Sequence, residues 1–214
     1  MGRKPDPAVR ALILEQAEQL IHLRGFHSTS LDGIAKKCRM TKANLLHHYG
    51  SKEELGLAVF DAKIKDYRKR RVDPLCCRRD PVANVGRLFE EAARFYEGNG
   101  CQGGCLVGNI ALEMSDLDEA FRRRAGLFFS EWAKGMAACL SRAKKEGDFG
   151  RGLKPKAAAE SIVALYEGAI MMARATRDAS VFRRVGRVAR SILEQHRRVQ
   201  RRSDAMGPKT PCGC

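Results

Sequence analysis

The stretch SLDGIAKKCRMTKANLLHHYGSKEEL, residues 30–55, decides the fold. Leu31, Ile34, Ala35 and Cys38 fall at i, i+3, i+4 and i+7, the apolar stripe of a short amphipathic helix. Arg39-Met40 leaves room only for a turn. Thr41 then serves as N-cap for a second short helix, in which Leu45 and Tyr49 face inward one turn apart. Lys42, Ala43, Asn44, His47 and His48 are small, polar or basic and are expected to face outward. A helix that enters the DNA major groove needs such a face, because its N-terminal side chains must reach base edges and phosphates. Ser51 and Glu54 stand in a capping-box relation that opens the next helix.

Residues 8–55 resemble the DNA-binding domain of the TetR family of bacterial transcriptional regulators. The resemblance is carried by Arg24-Gly25-Phe26, Thr29-Ser30-Leu31, Ile34-Ala35, Thr41-Lys42, Leu45, His47-His48-Tyr49 and Ser51-Lys52-Glu53-Glu54-Leu55. It implies an all-α protein, with an N-terminal three-helix helix-turn-helix domain and a C-terminal helical ligand-binding and dimerisation domain. It also implies a homodimer, most often a repressor, that binds a palindromic double-stranded DNA operator and answers to a small-molecule effector. Lys42, Asn44 and His48 are the candidates for base-edge contact, with Ala43 beside them. The resemblance makes Thr29, Thr41, His47 and Lys52 candidates for phosphate contact. Two positions depart from the family pattern. Arg39 stands where glycine is usual, so it must accept a left-handed conformation or shift the turn. Leu46 stands where a tyrosine is frequent and lacks its hydroxyl.

Outward from this core, Asp6 caps and Pro7 starts a first helix with the stripe Val9, Leu12, Ile13, Ala17, Leu20 and Ile21, stopped by Gly25. A fourth helix runs from about Lys52 towards Arg71, with a basic far end, and Asp73-Pro74 ends it. Pro81 opens the next helix, through about Tyr96. GNGCQGGC, residues 98–105, is a Gly-rich turn without the GK[ST] that a phosphate loop requires. A short helix follows at about Leu106–Met114, and the longest runs from Leu117 to about Lys145. Its stripe is Leu117, Phe121, Ala125, Phe128, Trp132, Met136, Cys139 and Ala143, widened by Phe129, Ala133 and Leu140.

After the loop GDFGRGLKP come two helices, Lys156–Arg177 and one capped by Ser180. Each carries two apolar faces, and the surplus is expected to form a four-helix bundle across a two-fold axis. Ile162, Tyr166, Ile170, Val185, Ala189 and Ile192 are the dimerisation candidates. The reading divides the chain into a DNA-binding domain at 1–50, a connecting helix and linker at 51–80, an effector and dimerisation domain at 81–198, and a disordered tail at 199–214.

Phe128, Trp132 and Met136, opposed by Phe95 and Tyr166, are candidates to line an apolar effector pocket. The segment Gly104-Cys105-Leu106-Val107-Gly108-Asn109, with Glu113, resembles a TetR subgroup that responds to reactive electrophiles, oxidants or small unsaturated molecules. Cys105 and Asn109 are therefore effector candidates. A thiol among glycines at a helix N-terminus can be activated by the dipole, and Cys101 could act as a resolving partner.

Composition bounds the alternatives. The 214 residues suffice for a real core, and a formal charge of +15 suggests a polyanionic partner. The first 80 residues hold 17 basic and 10 acidic side chains, so charge alone does not locate the DNA site. No run of about 18 apolar residues suggests a membrane span, and no apolar signal segment opens the chain. A cytoplasmic protein with mostly reduced cysteines is expected. Cys76-Cys77, Cys101-x3-Cys105 and Cys212-x-Cys214 lack structural zinc spacing, and no cofactor is called for. A thiol enzyme built on Cys105 and a purely architectural basic protein are the competing classes. The five histidines fall in segments assigned elsewhere, which argues against the enzyme.

Overall fold

A computed structural model describes residues 6–72 and 80–197. Asp73-Pro74, Cys76, Cys77 and the tail with Cys212 and Cys214 lie outside these residues. Nine α-helices form among the described residues: α1 Pro7–Arg24, α2 Leu31–Lys37, α3 Lys42–Tyr49, α4 Lys52–Tyr67, α5 Pro81–Gly98, α6 Leu106–Met114, α7 Glu119–Glu146, α8 Pro155–Thr176 and α9 Ser180–Glu194. A π-helical turn, Arg68–Val72, ends α4. No strand is present among the described residues beyond one isolated bridge between Phe149 and Arg197. No described helix is long and apolar enough to cross a membrane.

The helix starts follow their capping chemistry. Asp6, Ser30, Thr41, Ser51, Asp80 and Asp118 each accept a backbone N–H from the first turn of the helix they precede. Two boundaries differ from expectation. Asp118, not Leu117, opens the long helix, and Leu117 is exposed. Ser180 does not cap α9: its N–H and hydroxyl both donate to Asp178 Oδ1, at 2.8 and 2.5 Å. Arg39 takes the left-handed conformation, with φ 53°. Arg39→Gly is therefore expected to raise stability by about 0.5–1 kcal/mol, read from the urea midpoint. An unchanged or lower midpoint would show that this turn carries no strain.

The core is a run of aromatic contacts. Phe26 from the loop after α1 meets Phe121 of α7 at 5.2 Å between centroids, and Phe121 meets Phe60 of α4 at 5.8 Å. This seam joins the first three helices to the rest. Further along α7, Phe128 contacts Tyr67, and Trp132 contacts both Phe128 and Tyr166. Tyr166 reaches Phe89 and Phe182, and Phe182 stacks on Tyr96 at 5.0 Å. Helix α9 lies close on α5 because Gly186 has no side chain: a Cβ there would sit 2.7 Å from the Cβ of Phe89.

Candidate DNA-reading surface and effector site

Helix α3 presents Thr41, Lys42, Ala43, Asn44 and His47 to solvent. Thr41 Oγ1 accepts the Asn44 N–H at 3.1 Å, which fixes the first turn. Lys42 pairs with Asp32 of α2 at 3.0 Å, but both ends are largely exposed. An exposed pair of this kind holds its partners weakly, so Lys42 can turn to a phosphate or base. The back of α3 is locked to α1: the Tyr49 hydroxyl donates to Arg10 O at 2.9 Å, and the Arg10 guanidinium lies 4.1 Å from the Tyr49 ring centroid. Arg10 also donates to the His48 carbonyl.

Two DNA candidates are misplaced. His48 is 7% exposed and packs inward, because it lies three residues after Leu45 and so on the same face as Leu45 and Tyr49. Thr29 is 2% exposed, and its hydroxyl donates to Gly25 O at 2.7 Å. It closes the loop before α2 instead of facing a phosphate. Lys52 is half-buried, donates to His27 O at 3.2 Å and lies over the Phe26 ring at 4.6 Å.

The effector region differs from the expected stripe. Phe128, Trp132, Met136 and Tyr166 are buried in the core, and Phe95 is 58% exposed. Residues one step round α7 line the open space. A cavity of about 320 Å³ is walled by α6 (Cys105, Gly108, Asn109, Leu112), by Phe129 of α7, and by α8 (Glu167, Ile170, Met171, Arg174). A wider groove of about 840 Å³ between α7 and α8 shares Phe129 and Glu167 with it, and runs on past Ala133 and Ala137. Glu167, Met171 and Arg174 were not anticipated. Their spacing of three to four on α8 is the signal that could have found them.

Cys105 is the N-cap of α6, buried, and its Sγ accepts the Gly108 N–H at 3.3 Å. Asn109 donates to Gly103 O at 2.7 Å and accepts from Arg174 at 3.3 Å, so it ties the Gly-rich loop to α8. Cys38, Cys101 and Cys139 are also buried, and none of the four is in a disulfide. Burial pushes the Cys38 thiol up from its ordinary value. Among the described residues no three His, Cys, Asp or Glu side chains group as a metal site would need.

The dimerisation candidates divide. Ile162, Tyr166, Ile170 and Ala189 are buried within the protomer and cannot meet a partner, while Val185 and Ile192 are half-buried. The large apolar side chains left exposed on the two helices are Met171 and Met172 of α8 and Val188 of α9. Val188 faces out.

An exposed recognition helix held on a three-helix domain, joined to a helical domain with its own cavity, defines a helix-turn-helix transcriptional regulator. Residues 13–59 match the bacterial regulatory proteins of the tetR family, and residues 81–189 match the tetracyclin repressor-like C-terminal domain. The chain belongs to the TetR family. It is 31% identical over 173 residues to an uncharacterized HTH-type transcriptional regulator in the lacX 3' region of Lactococcus lactis, covering 79% of this chain and 85% of that protein. It is 25% identical over 182 residues to the HTH-type transcriptional repressor NemR of Escherichia coli, covering 83% and 89%. The crystal structure of reduced NemR superposes with a TM-score of 0.76 at 21% identity, over 86% of this chain and 97% of that one. That likeness concerns the fold.

Proposed function

We propose that the protein is a homodimeric repressor that reads a palindromic operator through α3 in the cytoplasm. A small molecule entering the cavity beside Cys105 releases it from DNA. The observation that carries this reading is Cys105 itself, a nucleophilic side chain at a helix N-terminus on the wall of a cavity of about 320 Å³. Phe129, Leu112 and Met171 offer an apolar rest for the ligand, and Arg174 a cation. An α,β-unsaturated carbonyl compound fits this chemistry. The thiol loses its proton, sulfur bonds to the β-carbon, the π electrons move to the carbonyl oxygen, and the α-carbon takes up a proton. NemR, a repressor similar to this chain along most of its length, supports the repressor assignment.

The test is release of operator DNA by such electrophiles from the parent and from Cys105→Ser. The variant is expected to need at least about tenfold more electrophile. Equal concentrations for both would exclude covalent sensing at Cys105 and leave a reversible ligand of the same cavity.

Dimerisation is assigned to Met172, Leu165, Val185, Val188 and Ile192, which lie on the outer side of α8 and α9 and are exposed or half-buried. Val188→Glu would bury an unpaired charge in that interface and is expected to yield monomer by light scattering. A dimer that persists in Val188→Glu would place the interface elsewhere. Ile170→Glu cannot serve as this test, because Ile170 belongs to the protomer's own core.

A further inference from the structure

Helix α6 forms one wall of the cavity and is fastened at both ends to the DNA-binding domain. At its start, the His22 ring of α1 donates Nε2–H to the Gly104 carbonyl at 2.9 Å, next to Cys105. At its end, Glu113 grips the loop that leads from α1 to α2. Its Oε2 accepts the Phe26 N–H at 2.8 Å and its Oε1 accepts the His27 N–H at 2.7 Å.

The loop is shaped for that carboxylate. Gly25 has φ +88°, and a Cβ there would lie 3.1 Å from Glu113 Oε2. The same loop is held from α4 by Lys52 on the His27 carbonyl, and from α7 by Phe121 on the Phe26 ring. Three helices therefore set the loop that aims α2 and α3, and of these α6 gives the cavity of about 320 Å³ the largest share of wall, with Gly108, Asn109 and Leu112, while α7 gives Phe129. A glutamate in the last turn of α6 stands against the helix dipole, so nothing local to the helix favours it there. Two charge-assisted bonds to another domain do.

We propose that Glu113 is the coupling residue of this regulator: its carboxylate transmits displacement of α6, driven from the cavity, to the loop that orients the recognition helix. The proposal rests on the regulatory reading above. An occupant that presses on Gly108 or Leu112 moves α6 as a unit. Its other end then pulls on the Phe26 and His27 amides or lets them go. Either result changes the attitude of α3, because the loop is short and its far side is pinned by the Thr29 hydroxyl on Gly25 O.

The test needs no identified effector. Gly108→Phe fills the cavity from the α6 side, since even a Cβ at that position would lie 2.7 Å from Glu167 Oε2. The full-length parent, Gly108→Phe, Glu113→Ala and the double variant are compared by amide hydrogen exchange over residues 31–49 and by affinity for a duplex selected from a random pool. Gly108→Phe is expected to raise exchange over α2 and α3 at least about fivefold in the parent background, and less than about twofold in Glu113→Ala. A merely structural role for Glu113 would leave the effect of Gly108→Phe the same in both backgrounds. That result would overturn the proposal, as would no effect of Gly108→Phe on the parent. If Glu113→Ala does not fold by circular dichroism, Glu113→Gln, which keeps one acceptor but loses the charge, takes its place with a partial loss expected. Should the parent bind no duplex sequence-specifically, the regulator reading falls, and the exchange comparison still decides the role of Glu113.

Discussion

Phe121→Ala is expected to cost about 3–5 kcal/mol of folding stability. The ring is fully buried and touches Phe26 and Phe60, so it is shared by the loop before α2, by α4 and by α7. Gly56 brings α4 so close that an added Cβ would lie 2.3 Å from the Phe26 ring and 3.1 Å from Phe121. The rings have little freedom to collapse into the space left behind. Most of the lost packing would therefore remain as a cavity. Urea unfolding reads the effect. Phe95→Ala, on an exposed face of α5, is the control and should change stability by no more than about 0.5 kcal/mol. Similar costs for the two would show that Phe121 does not join the domains.

Asn44→Ala is expected to weaken operator binding by about 1–3 kcal/mol if its amide reads a base edge, with little effect on random DNA. Asn44 lies in the first turn of α3, exposed, with its backbone N–H held by Thr41 Oγ1. Lys42→Ala should weaken all duplexes alike and lower the salt slope by about one if its partner is a phosphate. His48→Ala should act through stability instead, since the ring packs against the domain core. Operator titrations at two salt concentrations separate the three. Equal losses on specific and random DNA in Asn44→Ala would remove Asn44 from base reading.

The DNA-binding domain was legible because its information is local. Caps, a seven-residue stripe and a two-residue turn each have one structural solution, and Ser30, Thr41 and Ser51 all cap as their positions imply. His48 departs from the outward face for a local reason: it falls at i+3 from Leu45 and joins the inward face that Leu45 and Tyr49 define at i+4. The second domain was less legible because two apolar faces on one helix do not say which neighbour takes which face. On α7 the large aromatics went to the core, and Phe129, Ala133 and Ala137, about 100° further round at each step, took the cavity side. On α8 and α9 the face assigned to a partner was largely the face that α5 and α7 cover, so Ile170 and Ala189 went inside and Val188 outside. The double grip of Glu113 on Phe26 and His27 joins residues 87 and 86 positions apart. No periodicity carries a contact at that range.

The regulatory account turns on sequence-specific DNA binding by α3 in a dimer. The direct measurement is the affinity of the full-length protein for a palindromic duplex selected from a random pool, against a scrambled duplex of equal length at the same salt. The account predicts two protomers per duplex and a preference of about a thousandfold or more for the selected sequence. Equal affinity for the two duplexes would contradict it and leave a basic protein held to DNA by charge alone.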